Sequence, residues 1–210
     1  MDTKVASKLL VVAIAAAFVG QGVHAGAGPK PVTMGSSVRV FGGDREHVRL
    51  VRWAATRFET RGLGVPTVDV HFHPDTSACY GHLGSQLGRR VDVCAVSVFE
   101  LGRETLLHEM GHAWIDQNVA QTVRESFTEM RGLRAWNQST VPWDDRAYEH
   151  GAEIIAWGLG TRWFAPEIPD REPRQLRAAF ELLTGVELPA EREAPDDPWT
   201  PSAPWVPAGR

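Results

Sequence analysis

Apolar residues recur every three to four positions in five stretches of the chain, a period that predicts amphipathic helices. The first predicted helix has apolar residues at Val48, Val51 and Phe58, and Asp44 is placed to cap its beginning. The other predicted helices span residues 101–117, 119–133, 145–159 and 171–183. Helices are therefore expected to dominate the second half of the chain.

Two further stretches have the pattern of β-strands. Residues 67–73 alternate between polar and apolar side chains, and Pro74 ends that stretch. Residues 90–97 form the second predicted strand, directly before the helix over residues 101–117. Strands followed by a run of helices predict an α+β fold with a small mixed sheet.

The two ends of the chain have the composition of segments outside a folded domain. Residues 1–25 combine a basic beginning with an apolar run too short for a comfortable membrane span, which predicts a cleaved signal peptide rather than an uncleaved anchor. Residues 26–36 are expected to be flexible, and residues 189–210 are predicted to be a disordered proline-rich tail. One domain remains at residues 37–188, secreted into the extracellular or cell-envelope space.

The net charge and the cysteine content indicate which partners and which compartment the protein is suited to. The formal net charge is −4 and no block of basic residues is present, which argues against binding to nucleic acid. Cys79 and Cys94 are the only cysteines. In an oxidising compartment such an even pair predicts a disulfide. The rival interpretation, two metal thiolates, lacks the C-x-x-C spacing of a zinc knuckle.

The motif H-E-x-x-H runs from His108 to His112, within the predicted helix over residues 101–117. Residues four apart in a helix share one face, so the two histidines can hold one metal ion through imidazole nitrogens. Glu109 lies beside them, where its carboxylate can take a proton from a metal-activated water. The helix has a separate apolar stripe, which makes a pair of solvated surface histidines the weaker interpretation.

A third metal ligand is expected, because catalytic zinc usually has three protein ligands and an open position for water. The predicted helix over residues 145–159 offers Glu149 and Glu153, which stack on one face at the edge of its apolar stripe. One carboxylate could bind the metal while the other accepts the free N–H of a ligand histidine. Asp116 is a weaker candidate, because three ligands along one straight helix splay too far for tetrahedral zinc. The spacing alone leaves the choice between the two glutamates open.

Taken together, the H-E-x-x-H motif and the E-x-x-A-E motif that begins at Glu149 resemble the gluzincin metallopeptidases, over roughly residues 86–160. In thermolysin-like members the first acidic residue of the second helix binds zinc, and the acidic residue four later supports a ligand histidine. The resemblance therefore implies Glu149 as the third zinc ligand, Glu153 as its support or replacement, and Glu109 as the catalytic base. The chain looks most like small secreted metallopeptidase-like proteins of bacteria.

The resemblance also implies a zincin-like fold. In this fold an edge strand precedes the helix with the H-E-x-x-H motif (residues 101–117, the metal helix), and the helix with Glu149 and Glu153 (residues 145–159, the glutamate helix) follows it. In such peptidases the edge strand accepts an extended substrate by β-addition. Residues 90–97 occupy that place in the sequence. The alternative interpretation of this strand is an ordinary core hairpin.

Several other polar residues are candidates for the site. Tyr148 and His150 flank Glu149 and are possible donors to an oxyanion. His71 and His73 share one face of the first predicted strand, which raises the possibility of a second metal site. No third ligand lies near this pair in the sequence, so a structural role is favoured.

These expectations combine into a secreted zinc metallopeptidase that acts as a monomer on a peptide or protein substrate. Zn²⁺ is the expected cofactor, and no membrane partner is expected after the signal segment is removed. Two alternatives stay open, an exported protein that binds zinc without catalysis and a zinc hydrolase of a non-peptide amide. Glu109 favours catalysis, because a structural zinc site has no need of a base.

Overall fold

The computed structural model describes residues 31–95, 100–160 and 164–189. The predicted signal peptide and all but the first residue of the predicted proline-rich tail lie outside these residues. Within them, no helix combines the length and the apolar composition needed to cross a lipid bilayer.

The described chain has a mixed α+β fold with one five-stranded sheet and five helices. The sequence predicts the fold class and the five helices, but only two of the five strands. The strands are β1 (Val32–Met34), β2 (Val38–Phe41), β3 (Val68–His73), β4 (Gly84–Leu87) and β5 (Arg90–Cys94). The helices are α1 (Arg45–Thr60), α2 (Glu100–Asn118), α3 (Gln121–Met130), α4 (Ala147–Leu159) and α5 (Pro173–Thr184). The spatial order of the strands is β1-β2-β3-β5-β4, with β2, β3 and β5 parallel and the two outer strands antiparallel to their neighbours.

The predicted cap of the first helix is confirmed. The side chain of Asp44 accepts hydrogen bonds from the backbone N–H groups of Glu46 and His47 at 2.8 and 3.1 Å. These bonds satisfy two of the donors that every helix leaves unpaired at its N-terminus. Helix α1 therefore begins where the sequence places it.

Four strands correct the sequence prediction, and β2 is one of them because residues 38–41 are not predicted to form a strand. Residues 32–34, which are predicted to be flexible, form β1 because they pair with β2. The strand at residues 90–97 is not an edge strand, because β5 lies between β3 and β4; its last predicted residues, 96 and 97, lie outside the described part of the chain. The edge is taken by β4, because a two-residue turn at Gly88 and Arg89 folds the chain back as a hairpin. For residues 90–97, the alternative interpretation as part of a hairpin is therefore the correct one.

One face of the sheet is buried and the other is polar. Valines at alternate positions of β2, β3 and β5 are at most 2% exposed and share one core with the helices. The intervening positions carry polar side chains such as Asp69, His71 and Arg90. Helix α2 lies against β4, β5 and α4, so the predicted metal helix is enclosed between the sheet and the glutamate helix.

Cys79 and Cys94 form the predicted disulfide, and both residues are fully buried. The bond joins the short helical turn Ser77–Cys79 to the end of β5. It therefore anchors the loop that leads into the edge strand β4.

Gly158 sets the distance between α4 and α5, and its replacement by alanine is expected to destabilise the protein. An added Cβ would lie 2.3 Å from two ring carbons of Phe180. Such overpacking costs about 1–3 kcal/mol, more than the ~1 kcal/mol that alanine gains over glycine inside a helix. Urea unfolding should show a lower midpoint for Gly158→Ala. The double variant with Phe180→Leu should recover part of the loss, and a single variant as stable as the wild type would contradict the packing argument.

Candidate metal centre

Helices α2 and α4 cross at Gly111, inside the H-E-x-x-H motif. An added Cβ on Gly111 would lie 3.2 Å from the carbonyl oxygen and 3.3 Å from the Cα atom of Ala152. A larger residue would push the helices apart, so glycine permits the close approach. The crossing places His108 and His112 of α2 opposite Glu149 of α4.

His108, His112 and Glu149 converge between the two helices. The Nε2 atom of His112 lies 3.1 Å from Nε2 of His108 and 3.0 Å from Oε2 of Glu149. The same carboxylate oxygen is 3.5 Å from Nε2 of His108. These three residues could hold a metal ion, and they are the only such group of three or more His, Cys, Asp or Glu side chains in the described ranges.

The cluster is largely closed to solvent, and His108 and Glu149 are its more exposed members. The side chains of His108 and Glu149 are 14% and 13% exposed, whereas that of His112 is 6% exposed. The ring of Trp143, in the short helical turn before α4, lies 6.4 Å from the His108 ring and is inclined by 20° to it. The indole therefore lies beside one of the more exposed side chains of the cluster.

Glu153 contacts the other ring nitrogen of His108. Its Oε1 atom lies 3.0 Å from Nδ1 of His108, although the N–H direction is too oblique for a well-aligned hydrogen bond. Its Oε2 atom accepts the backbone N–H of Glu167 at 3.1 Å. A carboxylate in this position orients a ligand imidazole and raises its basicity. Glu149 and Glu153 thus occupy different positions around His108, and only Glu149 belongs to the group that could hold the ion.

The electrostatics of the metal-free cluster favour a protonated His108. Burial disfavours a charged imidazole, but the contacts with Glu149 and Glu153 outweigh burial and raise the pKa of His108 to about 10. Burial also opposes ionisation of Glu149, yet hydrogen bonds with His108 and His112 hold its pKa well below the usual range. For His112 burial prevails and lowers the pKa. Because a ligand imidazole must be unprotonated, metal binding here would release the proton from His108.

Glu109 lies beside the cluster and packs against the edge strand. An added Cβ on Gly84 of β4 would lie 2.5 Å from Oε1 and 2.7 Å from Cγ of Glu109. Burial raises the pKa of the Glu109 carboxyl to about 7. No side chain or backbone group of the described residues forms a hydrogen bond with this carboxylate, so both oxygens are available to a ligand.

Tyr148 is buried and its hydroxyl is engaged. Its ring centroid lies 4.1 Å from that of His112, and its hydroxyl oxygen lies 2.9 Å from both Oδ2 of Asp116 and Oε1 of Gln86. Burial, together with the charge of Asp116, raises the pKa of the hydroxyl above its usual range, so the group keeps its proton. The predicted donation from Tyr148 to an oxyanion stays a prediction.

His150, the other predicted oxyanion donor, is 1% exposed. Its Nε2 atom lies 2.8 Å from the carbonyl oxygen of Asp144, and its Nδ1 atom lies 3.5 Å from a guanidinium nitrogen of Arg131. Burial lowers the pKa of this imidazole. Both ring nitrogens thus face groups other than the cluster, and the predicted role of His150 also stays a prediction.

The remaining candidates from the sequence lie outside the cluster. Asp116 directs Oδ2 to the Tyr148 hydroxyl. His71 and His73 share a face of β3 as predicted, but His71 stacks on Phe41 and Nε2 of His73 lies 2.6 Å from Oδ1 of Asp92. Neither histidine joins a group of three possible metal ligands within the described residues.

Sequence reasoning missed two residues that line the site, Gly84 and Gln86. Both belong to β4 and face α2 and α4, because residues two apart on a strand share a face. The sequence signal that could have revealed β4 is Gly88, two residues before the predicted strand at residues 90–97; in the structure Gly88 and Arg89 form a two-residue turn and Gly88 has a φ of +59°. A turn of that length with glycine in a left-handed conformation is typical of a hairpin.

The arrangement can bind a metal ion through three side chains and present a buried carboxylate next to it. Comparisons of the chain with protein-family models, with curated proteins and with solved structures find no match. The basis for assigning a function is therefore the geometry of His108, Glu109, His112, Glu149 and Glu153.

Proposed function

We propose that the protein is a zinc-dependent metallopeptidase of the gluzincin type, with His108, His112 and Glu149 as the zinc ligands. The observation that carries the proposal is the convergence of these three side chains from two helices next to Glu109. The Glu109 carboxylate has no hydrogen bond to any described residue and lies against the edge of the sheet. A site that holds zinc only for structure has no use for such a carboxylate.

The donor atoms fit zinc in number, type and spacing. Two imidazole nitrogens and one carboxylate oxygen form a ligand set found in catalytic zinc sites, which keep the fourth position for water. With bonds of about 2.0–2.2 Å in a tetrahedral site, ligand atoms lie roughly 3.3 Å apart. The three separations here are 3.0, 3.1 and 3.5 Å. The cluster therefore needs little rearrangement to bind zinc.

In the proposed reaction, water attacks the carbonyl carbon of a peptide bond. When bound, zinc lowers the pKa of water and polarises the scissile carbonyl. Glu109 accepts a proton from the attacking water on a carboxylate oxygen and then delivers it to the nitrogen of the leaving amine. Glu153 keeps the His108 imidazole oriented, and the backbone of β4 at Gly84 shields one side of Glu109 from solvent.

The free edge of β4 supports an extended peptide as the substrate. Among the described strands, β4 pairs only with β5, so its other side offers backbone N–H and C=O groups to a partner. An extended peptide that added to this edge would run past Glu109, because Gly84 of the same strand touches that carboxylate. A non-peptide amide would make no use of this edge, and a non-catalytic zinc protein would use neither the edge nor Glu109.

The buried disulfide supports the further proposal that the protein is secreted. Disulfides form and persist in oxidising compartments and are rare in the cytosol. The bond between Cys79 and Cys94 braces the loop that precedes β4. In the proposed enzyme, the oxidising compartment would keep this disulfide formed, and the disulfide would hold the loop before the edge strand β4 in place.

The purified protein is expected to contain one zinc ion per chain and to hydrolyse unfolded casein. Metal analysis after mild dialysis and a casein assay on the same preparation test both properties. His112→Ala should lose both, whereas His71→Ala should keep both because His71 lies outside the cluster. If no zinc is found and none rebinds on titration, the metal hypothesis is wrong. If zinc binds but no unfolded substrate is cleaved, the non-catalytic alternative replaces the peptidase.

A further inference from the structure

Tyr148 connects the three elements that enclose the metal cluster. It belongs to α4, and its hydroxyl oxygen lies 2.9 Å from Oδ2 of Asp116 in α2 and 2.9 Å from Oε1 of Gln86 in β4. The residue is only 8% exposed, so these contacts are shielded from solvent. Buried polar groups need such partners, and a network of this kind holds its members in one arrangement.

Gln86 extends the network to the turn of the β4–β5 hairpin. Its amide nitrogen donates to the carbonyl oxygen of Gly88 at 2.6 Å and to Oδ2 of Asp116 at 3.3 Å. The hairpin is therefore tied to α2 and α4 by one side chain, close to where its two strands reverse direction. Gly84, two residues earlier on the same face of β4, is the residue that touches Glu109.

The ring of Tyr148 packs on His112. The two centroids are 4.1 Å apart and the planes are inclined by 33°. In the described residues, Nδ1 of His112 has no hydrogen-bond partner, whereas Nδ1 of His108 lies 3.0 Å from Glu153. Apart from the contacts of its Nε2 atom with His108 and Glu149, the His112 imidazole is therefore oriented by packing, and Tyr148 supplies one side of that packing.

We propose that Tyr148 is a positioning residue, which sets the distance of the edge strand from the metal helix through its hydroxyl and the plane of His112 through its ring. This inference rests on the proposed metal site for the role of the ring, while the role of the hydroxyl concerns β4 alone. In this proposal the Tyr148 hydroxyl donates its hydrogen bond to Asp116 or Gln86 and not to an oxygen of the substrate.

The role of the hydroxyl is tested with Tyr148→Phe, which keeps the ring. Hydrogen exchange of the β4–β5 amides should become about tenfold faster, because a buried hydrogen bond to a charged group is lost. Gln86→Ala should have a similar effect without altering α4, and the two changes together should be less than additive. Tyr80→Phe is the matched control, since Tyr80 is the only other tyrosine and is 87% exposed. Unchanged exchange in both Tyr148→Phe and Gln86→Ala would overturn the proposal.

The role of the ring is tested by zinc affinity in competition with a chelator. Tyr148→Phe should keep the wild-type affinity, whereas Tyr148→Met should bind zinc about 10–100-fold more weakly, the usual loss when support of a ligand histidine is removed. If Tyr148→Met does not fold, Tyr148→Phe still decides the role of the hydroxyl. A Met variant with wild-type affinity would overturn the role of the ring.

Peptide hydrolysis separates positioning from direct participation. Loss of the tether to β4 should raise KM for an extended peptide in Tyr148→Phe and leave kcat nearly unchanged. A fall in kcat alone, with unchanged hydrogen exchange, would identify Tyr148 as an oxyanion donor and overturn the proposal. If the wild type binds no zinc and cleaves nothing, the proposed function fails, and hydrogen exchange still reports on the tether.

Discussion

Glu109→Gln is expected to leave zinc bound and to reduce peptide hydrolysis by about 10³-fold or more, because both the proton acceptor and the orientation of the attacking water are lost. Glutamine has nearly the same shape, so its contact with Gly84 and the packing of α2 should persist. Glu109 is not one of the three side chains that could hold the ion, so the affinity for zinc should change little. Steady-state kinetics and metal analysis on the same preparation measure the two effects.

The matched control is Glu129→Gln, which makes the same chemical change on the exposed surface of α3. It should hydrolyse substrate at the wild-type rate. Near-normal turnover by Glu109→Gln, on any substrate that the wild type cleaves, would show that another group acts as the base. Loss of zinc from Glu109→Gln would mean that the carboxylate belongs to the metal site.

Glu149→Ala is expected to abolish tight zinc binding, and Glu153→Ala to weaken it by about 10–100-fold, the usual cost of losing the partner of a ligand histidine. The difference follows from the geometry. The Glu149 carboxylate lies at the Nε2 atoms of both histidines, whereas the Glu153 carboxylate lies at Nδ1 of His108. A direct ligand contributes more to affinity than a group that orients another ligand.

Competition titrations with a zinc chelator on both variants give the order of the two effects. Glu149→Gln keeps an oxygen at the same position but removes its negative charge. Its zinc affinity should therefore lie between those of the wild type and Glu149→Ala. If Glu153→Ala were the more damaging change, the roles of the two glutamates would be reversed. If neither variant differed from the wild type, α4 would not take part in zinc binding, and the proposed ligand set would be wrong.

The sequence predicted the helices well because their signals are local. Asp44 marks the beginning of α1, and the periodic apolar positions of α2 and α4 all face the core. The shared face of His108 and His112 also follows from helix geometry, whereas the preference for Glu149 over Glu153 came from the family resemblance. The disulfide followed from the even number of cysteines together with the predicted export signal.

The sheet was predicted poorly because strand pairing is not local. Strands β1 and β2 are only three and four residues long, too short for a clear alternation in the sequence, and are defined by pairing with each other and with β3. The strand before the metal helix looks the same in sequence at an edge or in the interior, and only its pairing with β4 decides which it is. The contacts of Gly84 and Gln86 with the site depend on that pairing, so no residue spacing reveals them.

The side chains of β4 alternate between two surroundings, and this constrains how the strand can vary during evolution. Gly84 and Gln86 face Glu109, Asp116 and Tyr148, whereas Leu87 on the opposite side is 84% exposed. Substitution at the inward positions would disturb the Glu109 carboxylate or the Tyr148 network, whereas substitution of the exposed Leu87 would touch neither. If the protein is the proposed peptidase, the outward positions of β4 are therefore those at which selection could change substrate recognition without disturbing Glu109.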